Sequence, residues 1–367
     1  MGLLELFEFN RQMDESIMDL FDNILKENLK NPSQAAFVLK TIRSQQKAAK
    51  RREKNERQGL HVPPFMIASI TERCNLKCAG CYAHARHPQS SAETDFTRLQ
   101  SMVGEARDLG ISIILLAGGE PLVRKQEILS IARAHRDVIF PVFTNGLLMD
   151  RQLIQCLKST KNAVPVISIE GPEADTDRRR GKGIYAKLKK LFADLHESNV
   201  FYGCSITVTS ENADTVTAPG FARELVGSGC KLFFFVEYVP VEHGTEHLVL
   251  DESQRQLLIE RIDSLRANLP ASFIAFPGDE KHFGGCLASG RGFIHVNPAG
   301  GVEPCPFAPF SDSSIKDRSL RECLESGFLK KIRENHSLLN EKQGGCALWE
   351  NRELVESYLA KQQTKLP

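Results

Sequence analysis

Three cysteines stand close together in Thr71-Glu-Arg-Cys74-Asn-Leu-Lys-Cys78-Ala-Gly-Cys81-Tyr82. Three thiolates on one loop can each hold one iron of a [4Fe–4S] cluster, which ordinarily takes four cysteines. A triplet leaves the fourth iron open to a ligand that is not protein. Two other readings fit the same spacing: a zinc ion completed by His84 or His87, or three buried structural thiols. A second segment of chemical interest is Ile113-Ile-Leu-Leu-Ala117 running into Gly118-Gly119-Glu120-Pro121-Leu122. Two glycines at a strand end let a ligand approach the backbone closely. The carboxylate beside them can pair with an ammonium group.

The elements that must position these residues follow from the hydrophobic pattern. Short apolar runs at residues 65–70, 112–117, 138–144, 164–169, 202–208 and 231–239 alternate with helix-like stretches at 98–109, 126–135, 150–157, 185–197, 221–226 and 252–265. Strands alternating with helices imply parallel βαβ units. Six of them predict an α/β fold, a partial (β/α)6 TIM-like barrel over residues 63–270, with its chemistry at the C-terminal strand ends. Both motifs fall at such ends. Residues 1–62 read as an N-terminal helical extension, with apolar side chains at helix spacing in the first half. A second helix is expected from Gln34, with Ser33 as its N-cap. The basic run Lys47 to Arg57 reads as a solvated helix face or linker. Beyond residue 270 the rhythm breaks, and residues 271–367 read as a small C-terminal α+β module ending in helices.

The triplet, with Tyr82 beside its last cysteine and Gly-Gly-Glu-Pro one βα unit later, resembles the radical S-adenosylmethionine (SAM) superfamily over about residues 63–270. The resemblance favours a cluster over zinc and over structural thiols. It implies that Cys74, Cys78 and Cys81 ligate three irons, while SAM chelates the fourth through its amino and carboxylate groups. Gly118, Gly119 and Glu120 match the segment that holds the SAM amino group. An electron, for which a flavodoxin or ferredoxin-type donor is implied, then splits SAM into methionine and a 5′-deoxyadenosyl radical that removes a hydrogen atom from substrate. Ser168 and Glu170 resemble a fourth-strand segment near the SAM ribose and carboxylate, although close relatives more often carry Asp where Glu170 stands; a polar strand face is the other reading. Thr209 resembles part of a fifth-strand segment near the adenine, with Asn212 as a further contact. The stretch Arg178-Arg-Arg-Gly181 reads as a solvated loop, a place where relatives often bring an arginine near SAM or substrate.

A second group of cysteines lies in the tail. Residues 292–302 read as a β-hairpin turning at 297–301, which brings its ends together, so Cys286 and Cys305 can meet at one metal. This resembles the auxiliary-cluster module called twitch, or a shortened SPASM module, with Cys346 as a late ligand. Cys323 either completes a four-cysteine set or is a small buried side chain. The Cys-x2-Cys-x5-Cys-x3-Cys block of full SPASM is absent, so one auxiliary [4Fe–4S] cluster is expected, with an open iron able to bind substrate if Cys323 is not a ligand. Cys156, Cys204 and Cys230 read as structural thiols.

Composition narrows the partners. With 47 Lys+Arg against 46 Asp+Glu among 367 residues, no overall charge draws the protein to nucleic acid. No apolar run has the length of a membrane span and no signal peptide is evident, so a cytoplasmic protein without a transmembrane segment is expected. The resulting expectation is an enzyme that uses radical chemistry on an unidentified substrate, with no catalytic side chain assigned. Helices rather than a winged-helix leader-binding domain at the N-terminus favour a small-molecule, cofactor or lipid-like substrate over the alternative, a maturase of peptide or protein side chains. The rival outside catalysis is an iron–sulfur electron carrier or a zinc-binding scaffold. Gly118-Gly119-Glu120 argues against both, because neither needs an amino clamp beside the triplet. Glu237, closing the sixth strand, is expected to pair with a substrate group or with a barrel arginine.

Overall fold

The computed structural model describes residues 3–27, 29, 31–86, 92–288, 290–335 and 346–363. Nine strands form one sheet: β1 (Phe65–Ser69), β2 (Ile113–Ala117), β3 (Phe140–Thr144), β4 (Ala163–Ser168), β5 (Gly203–Val208), β6 (Leu232–Glu237), β7 (Ser272–Phe276), β8 (Phe293–Val296) and β9 (Val302–Glu303). Their order is β7-β6-β5-β4-β3-β2-β1-β8-β9, and every pairing is parallel except that of β8 with β9. Helices cover the outside, as strand runs such as Leu-Phe-Phe-Phe-Val-Glu in β6 require, since both faces of a parallel sheet are buried. Aspartates start several of these helices: Asp95, Asp150 and Asp251 accept from the amides of Arg98, Leu153 and Gln254. The result is a partial barrel of the expected class, open between β7 and β9. No helix among the described residues is long and apolar enough to cross a membrane.

Two N-terminal helices, α1 (Leu3–Glu27) and α2 (Pro32–Arg57), pack against the barrel from below. Asn31, not Ser33, caps α2, its side chain accepting from the Gln34 amide with Pro32 in the first turn. Ile17, Phe21 and Ile24 of α1 and Val38 of α2 cluster with Ile113, Ile139 and Val164, at the N-terminal ends of β2, β3 and β4. The barrel end opposite the motifs is thereby sealed. The run 47–57 is not uniformly solvated. Arg52 is buried, paired with Asp14 and donating to the Gly110 carbonyl, while Asn55 donates to the Leu109 carbonyl at 2.9 Å. These bonds bolt α2 to the turn that leads into β2, and the buried side chains lie on one face of a helix whose other face carries the exposed charges.

The region after residue 270 shares the barrel's sheet. β7 extends it beyond β6, and β8 pairs with β1 at the opposite edge. Residues 293–303 form the expected hairpin, and a buried side-chain chain ties it to the barrel. Ser69 Oγ lies 2.8 Å from His295 Nε2, His295 Nδ1 lies 2.7 Å from Glu303 Oε2, and Asn297 donates to Glu303 Oε1 at 2.6 Å. Replacing His295 leaves Ser69 and a buried carboxylate without that partner. His295→Ala is expected to lower stability by about 3 kcal/mol, read as a fall in the urea midpoint with an unchanged slope.

Candidate active site

The cysteine loop emerges from β1 and is held mainly by backbone contacts. Gly119 donates to the Thr71 carbonyl and Glu120 to the Arg73 carbonyl, each at 2.8 Å. A Cβ on Gly118 would lie 2.3 Å from the Thr71 oxygen, and one on Gly119 2.4 Å from the Arg73 oxygen. The glycines therefore admit the cysteine loop itself. The expected close approach is made by the protein's own backbone, which leaves the segment's carbonyl oxygens and the Glu120 carboxylate as the groups able to meet a ligand. On the far side, Ala79 and Arg179 exchange bonds, amide to carbonyl at 3.0 Å and guanidinium to carbonyl at 3.1 Å. Gly80, at φ 62°, sits under the buried Tyr238 hydroxyl, where a Cβ would come within 2.6 Å of it.

The three thiols are half-buried and lie within electrostatic reach of one another. Burial pushes the Cys74 and Cys78 thiols up from their ordinary value; at Cys78 the Arg180 guanidinium is the largest opposing influence. Among the described residues no three His, Cys, Asp or Glu side chains close around a single metal ion. His84 is exposed, and His87 lies outside the described residues.

Glu120 is 1% exposed. Its Oε1 accepts from the Leu122 amide at 2.9 Å and from Thr144 Oγ1 at 2.7 Å, and its Oε2 from the Asn145 amide at 2.8 Å. Burial raises its pKa despite these three bonds. A carboxylate has about four acceptor positions, so one remains. Asn145 in turn donates to Asn75 at 2.8 Å and points toward Cys74 at 4.0 Å, joining the end of β3 to the cysteine loop.

Glu170 is buried and held by arginines. Arg180 reaches it with Nε at 2.8 Å and Nη2 at 2.5 Å, Arg179 pairs with it at 2.8 Å, and the Thr207 amide donates at 3.2 Å. Asn212 accepts from the Thr209 amide and hydroxyl and donates to the carbonyls of Glu170 and Thr207, so Thr209 serves the turn after β5. Ser168 lies half-buried at the end of β4, in register with Ser205. Glu237 pairs with Arg255 at 3.1 Å, an arginine of the helix Glu252–Asn268.

In the tail the structure brings Cys286, Cys305 and Cys346 together. The thiols of Cys305 and Cys346 are in hydrogen-bonding contact, and Cys286 lies within electrostatic reach of Cys305. The Cys346 thiol, with burial next, pushes Cys305 well above the ordinary thiol value. Cys323 lies apart: it is buried in the helix Leu320–Leu324, and the neighbours that act on its thiol are Ser313, Arg318, Arg98 and Asp312. Of the two readings of Cys323, the surroundings match those of a core side chain. The two cysteine sites are linked by Tyr82 and Phe307, whose rings meet edge-on at 5.2 Å.

With this geometry in view, residues 68–216 match the family model described as Radical SAM superfamily. The chain is 25% identical over 321 residues to the AdoMet-dependent heme synthase of Methanosarcina barkeri (strain Fusaro / DSM 804), a match that covers 80% of this chain and 90% of that protein. It is 26% identical to the antilisterial bacteriocin subtilosin biosynthesis protein AlbA of Bacillus subtilis (strain 168), covering 74% of this chain and 61% of AlbA. The structure of Streptococcus suis SuiB bound to S-adenosylmethionine superposes with a TM-score of 0.62 at 17% identity, covering 78% of this chain and 72% of that one, a likeness of fold. The barrel segment 68–216 thus matches the Radical SAM superfamily, and the chain is an enzyme. Its family implies a [4Fe–4S] cluster and SAM as cofactors.

Sequence reasoning passed over Asn145 and Asn75 and gave Arg180 little weight. A polar Asn-Gly directly after a barrel strand was the available signal for the first. For Arg180, helix spacing within Arg178-Arg-Arg was the only hint, since the run reads as surface. Gly119→Ala is expected to force the Arg73 backbone aside and to lower stability by about 1–3 kcal/mol, measured by urea unfolding against Gly118→Ala and the native chain.

Proposed function

We propose that Cys74, Cys78 and Cys81 hold the [4Fe–4S] cluster of this radical SAM enzyme, that SAM lies between the cluster and the ends of β2 to β5, and that Cys286, Cys305 and Cys346 hold an auxiliary cluster. The observation that supports the reading is two separate sets of cysteines, Cys74 within electrostatic reach of Cys78 and Cys81, and Cys305 of Cys346 and Cys286. The donor sets fit the groups. Both are all-thiolate and partly buried, and burial pushes up thiols that a metal would hold deprotonated. When bound, the reduced cluster and SAM supply a 5′-deoxyadenosyl radical for hydrogen-atom abstraction. The chain's own part is positioning. The carbonyls of Gly118 and Gly119 and the remaining acceptor position of Glu120 receive the SAM ammonium. Arg180 offsets charge at Cys78, and Glu170 keeps Arg179 and Arg180 in place. Ser168 and Thr209 border the space for the nucleoside.

The substrate we favour is a small, cofactor-like molecule of the tetrapyrrole class. Supporting it is the match to the heme synthase, which extends over 90% of that protein. The second reading, a maturase of peptide side chains, is supported by AlbA and by the PqqA peptide cyclase of Gluconobacter oxydans (strain 621H) among the relatives. Three cysteines at the auxiliary site leave one iron position for a substrate ligand.

Anaerobically reconstituted protein is expected to carry about eight irons, falling to about four in Cys74/Cys78/Cys81→Ala. The native enzyme with a low-potential reductant is expected to form 5′-deoxyadenosine from SAM, and Cys78→Ala to form none; product formation by that variant rejects the assignment. A Soret-band shift on adding an iron porphyrinoid, without one on adding precursor-like peptides, separates the two substrate readings.

A further inference from the structure

Arg291 lies five residues after Cys286 and is 3% exposed. Its Nη1 donates to the carbonyls of Cys286 at 2.5 Å and Gly285 at 3.2 Å, and its Nη2 to that of Phe283 at 2.7 Å. The guanidinium stacks 4.7 Å above the Phe9 ring of α1. His61, fixed by Glu56 at 2.9 Å, bonds the Arg291 carbonyl at 2.9 Å. Among the described residues the Arg291 side chain donates to neutral carbonyls, and its Nε is buried without a hydrogen-bond partner.

A buried cation needs an opposite charge near it. The negative groups within electrostatic reach of Arg291 are Cys286 and Glu280. Contrast the barrel, where Arg180 meets the carboxylate of Glu170 directly. A cluster bound by three thiolates is anionic, and each added electron makes it more so. A fixed cation beside it therefore favours the reduced state.

Resting on the auxiliary-cluster reading above, we propose that Arg291 is the counter-charge of the cluster at Cys286, Cys305 and Cys346, setting both the course of the Cys286 loop and the cluster's reduction potential. The role of α1 and α2 follows: Phe9, Glu56 and His61 hold that cation in place. Arg291 is a positioning residue, and its action is electrostatic as well as steric.

The test is an EPR-monitored redox titration, with iron analysis, of the full reconstituted chain as wild type, Arg291→Gln and Glu280→Gln. The SAM-responsive signal identifies the barrel cluster and serves as an internal reference that stays put. The expected result is a second midpoint that moves more negative in Arg291→Gln and more positive in Glu280→Gln, at about eight irons each. Opposite shifts are the signature of charge; loosening of the loop moves both variants the same way. Unmoved midpoints, or shifts of one sign, overturn the proposal. If Arg291→Gln does not fold, Arg291→Lys, which keeps the charge, takes its place: a midpoint near wild type together with a positive shift in Glu280→Gln supports the counter-charge, and any other pattern overturns it. A wild type with about four irons instead overturns the auxiliary-cluster reading, and the proposal falls with it.

Discussion

The site hangs on a contact between two backbones. The end of β2 presses against the strand-to-loop turn after β1 so closely that only glycine fits at 118 and 119, and two 2.8 Å bonds lock the approach. Backbone bonds are short and directional, so they set the height of the cysteine loop over the barrel with little help from side chains. The buried Glu120 carboxylate extends the clasp to β3 through Thr144 and Asn145. Because a buried carboxylate is costly unless bonded, its three donors are bound in their places as firmly as it is in its own.

Charge is arranged differently at the two ends of this framework. In the barrel, one buried glutamate gathers two arginines and an amide, so the ion cluster is nearly self-contained. In the tail loop, the hydrogen bonds of the Arg291 side chain among the described residues go to carbonyls. The N-terminal helices connect the two regions. They seal the lower barrel with aliphatic and aromatic side chains, while Phe9 lies under the guanidinium of the tail loop. An extension that reads as an accessory thus contributes to both ends of the molecule.

The barrel strands and the chemistry of the triplet were legible because both are local patterns: apolar runs of strand length, and three soft ligands within eight residues. What escaped was long-range. Residues 272–276 and 293–296 are recognisable as strands, but nothing in their composition says that they join opposite edges of one sheet. Arg52 stands in a run of exposed charges, and only the pairing of α2 with α1 and with Gly110 buries it. Ser33 and Asn31 are both good caps, and the register of Pro32 chose between them. Cys323 has the residue type of a ligand, yet its helix faces the core. At Gly118 and Gly119 the pair of glycines signals a close approach, but the sequence does not show that the backbone of Thr71 and Arg73 comes near.

The pairing of β1 with β8 has a consequence for biosynthesis. Chains leave the ribosome N-terminus first, and β1 precedes its neighbour β8 by more than two hundred residues. Until residues 293–296 emerge, the strand that carries the cysteine loop has one unpaired edge, and Cys346 follows later still. The nascent barrel is therefore exposed along the edge nearest its three thiols for most of its translation. Closure of that edge waits until the tail hairpin has been made, and in the meantime the unpaired strand edge is a site for mispairing that chaperones can cover.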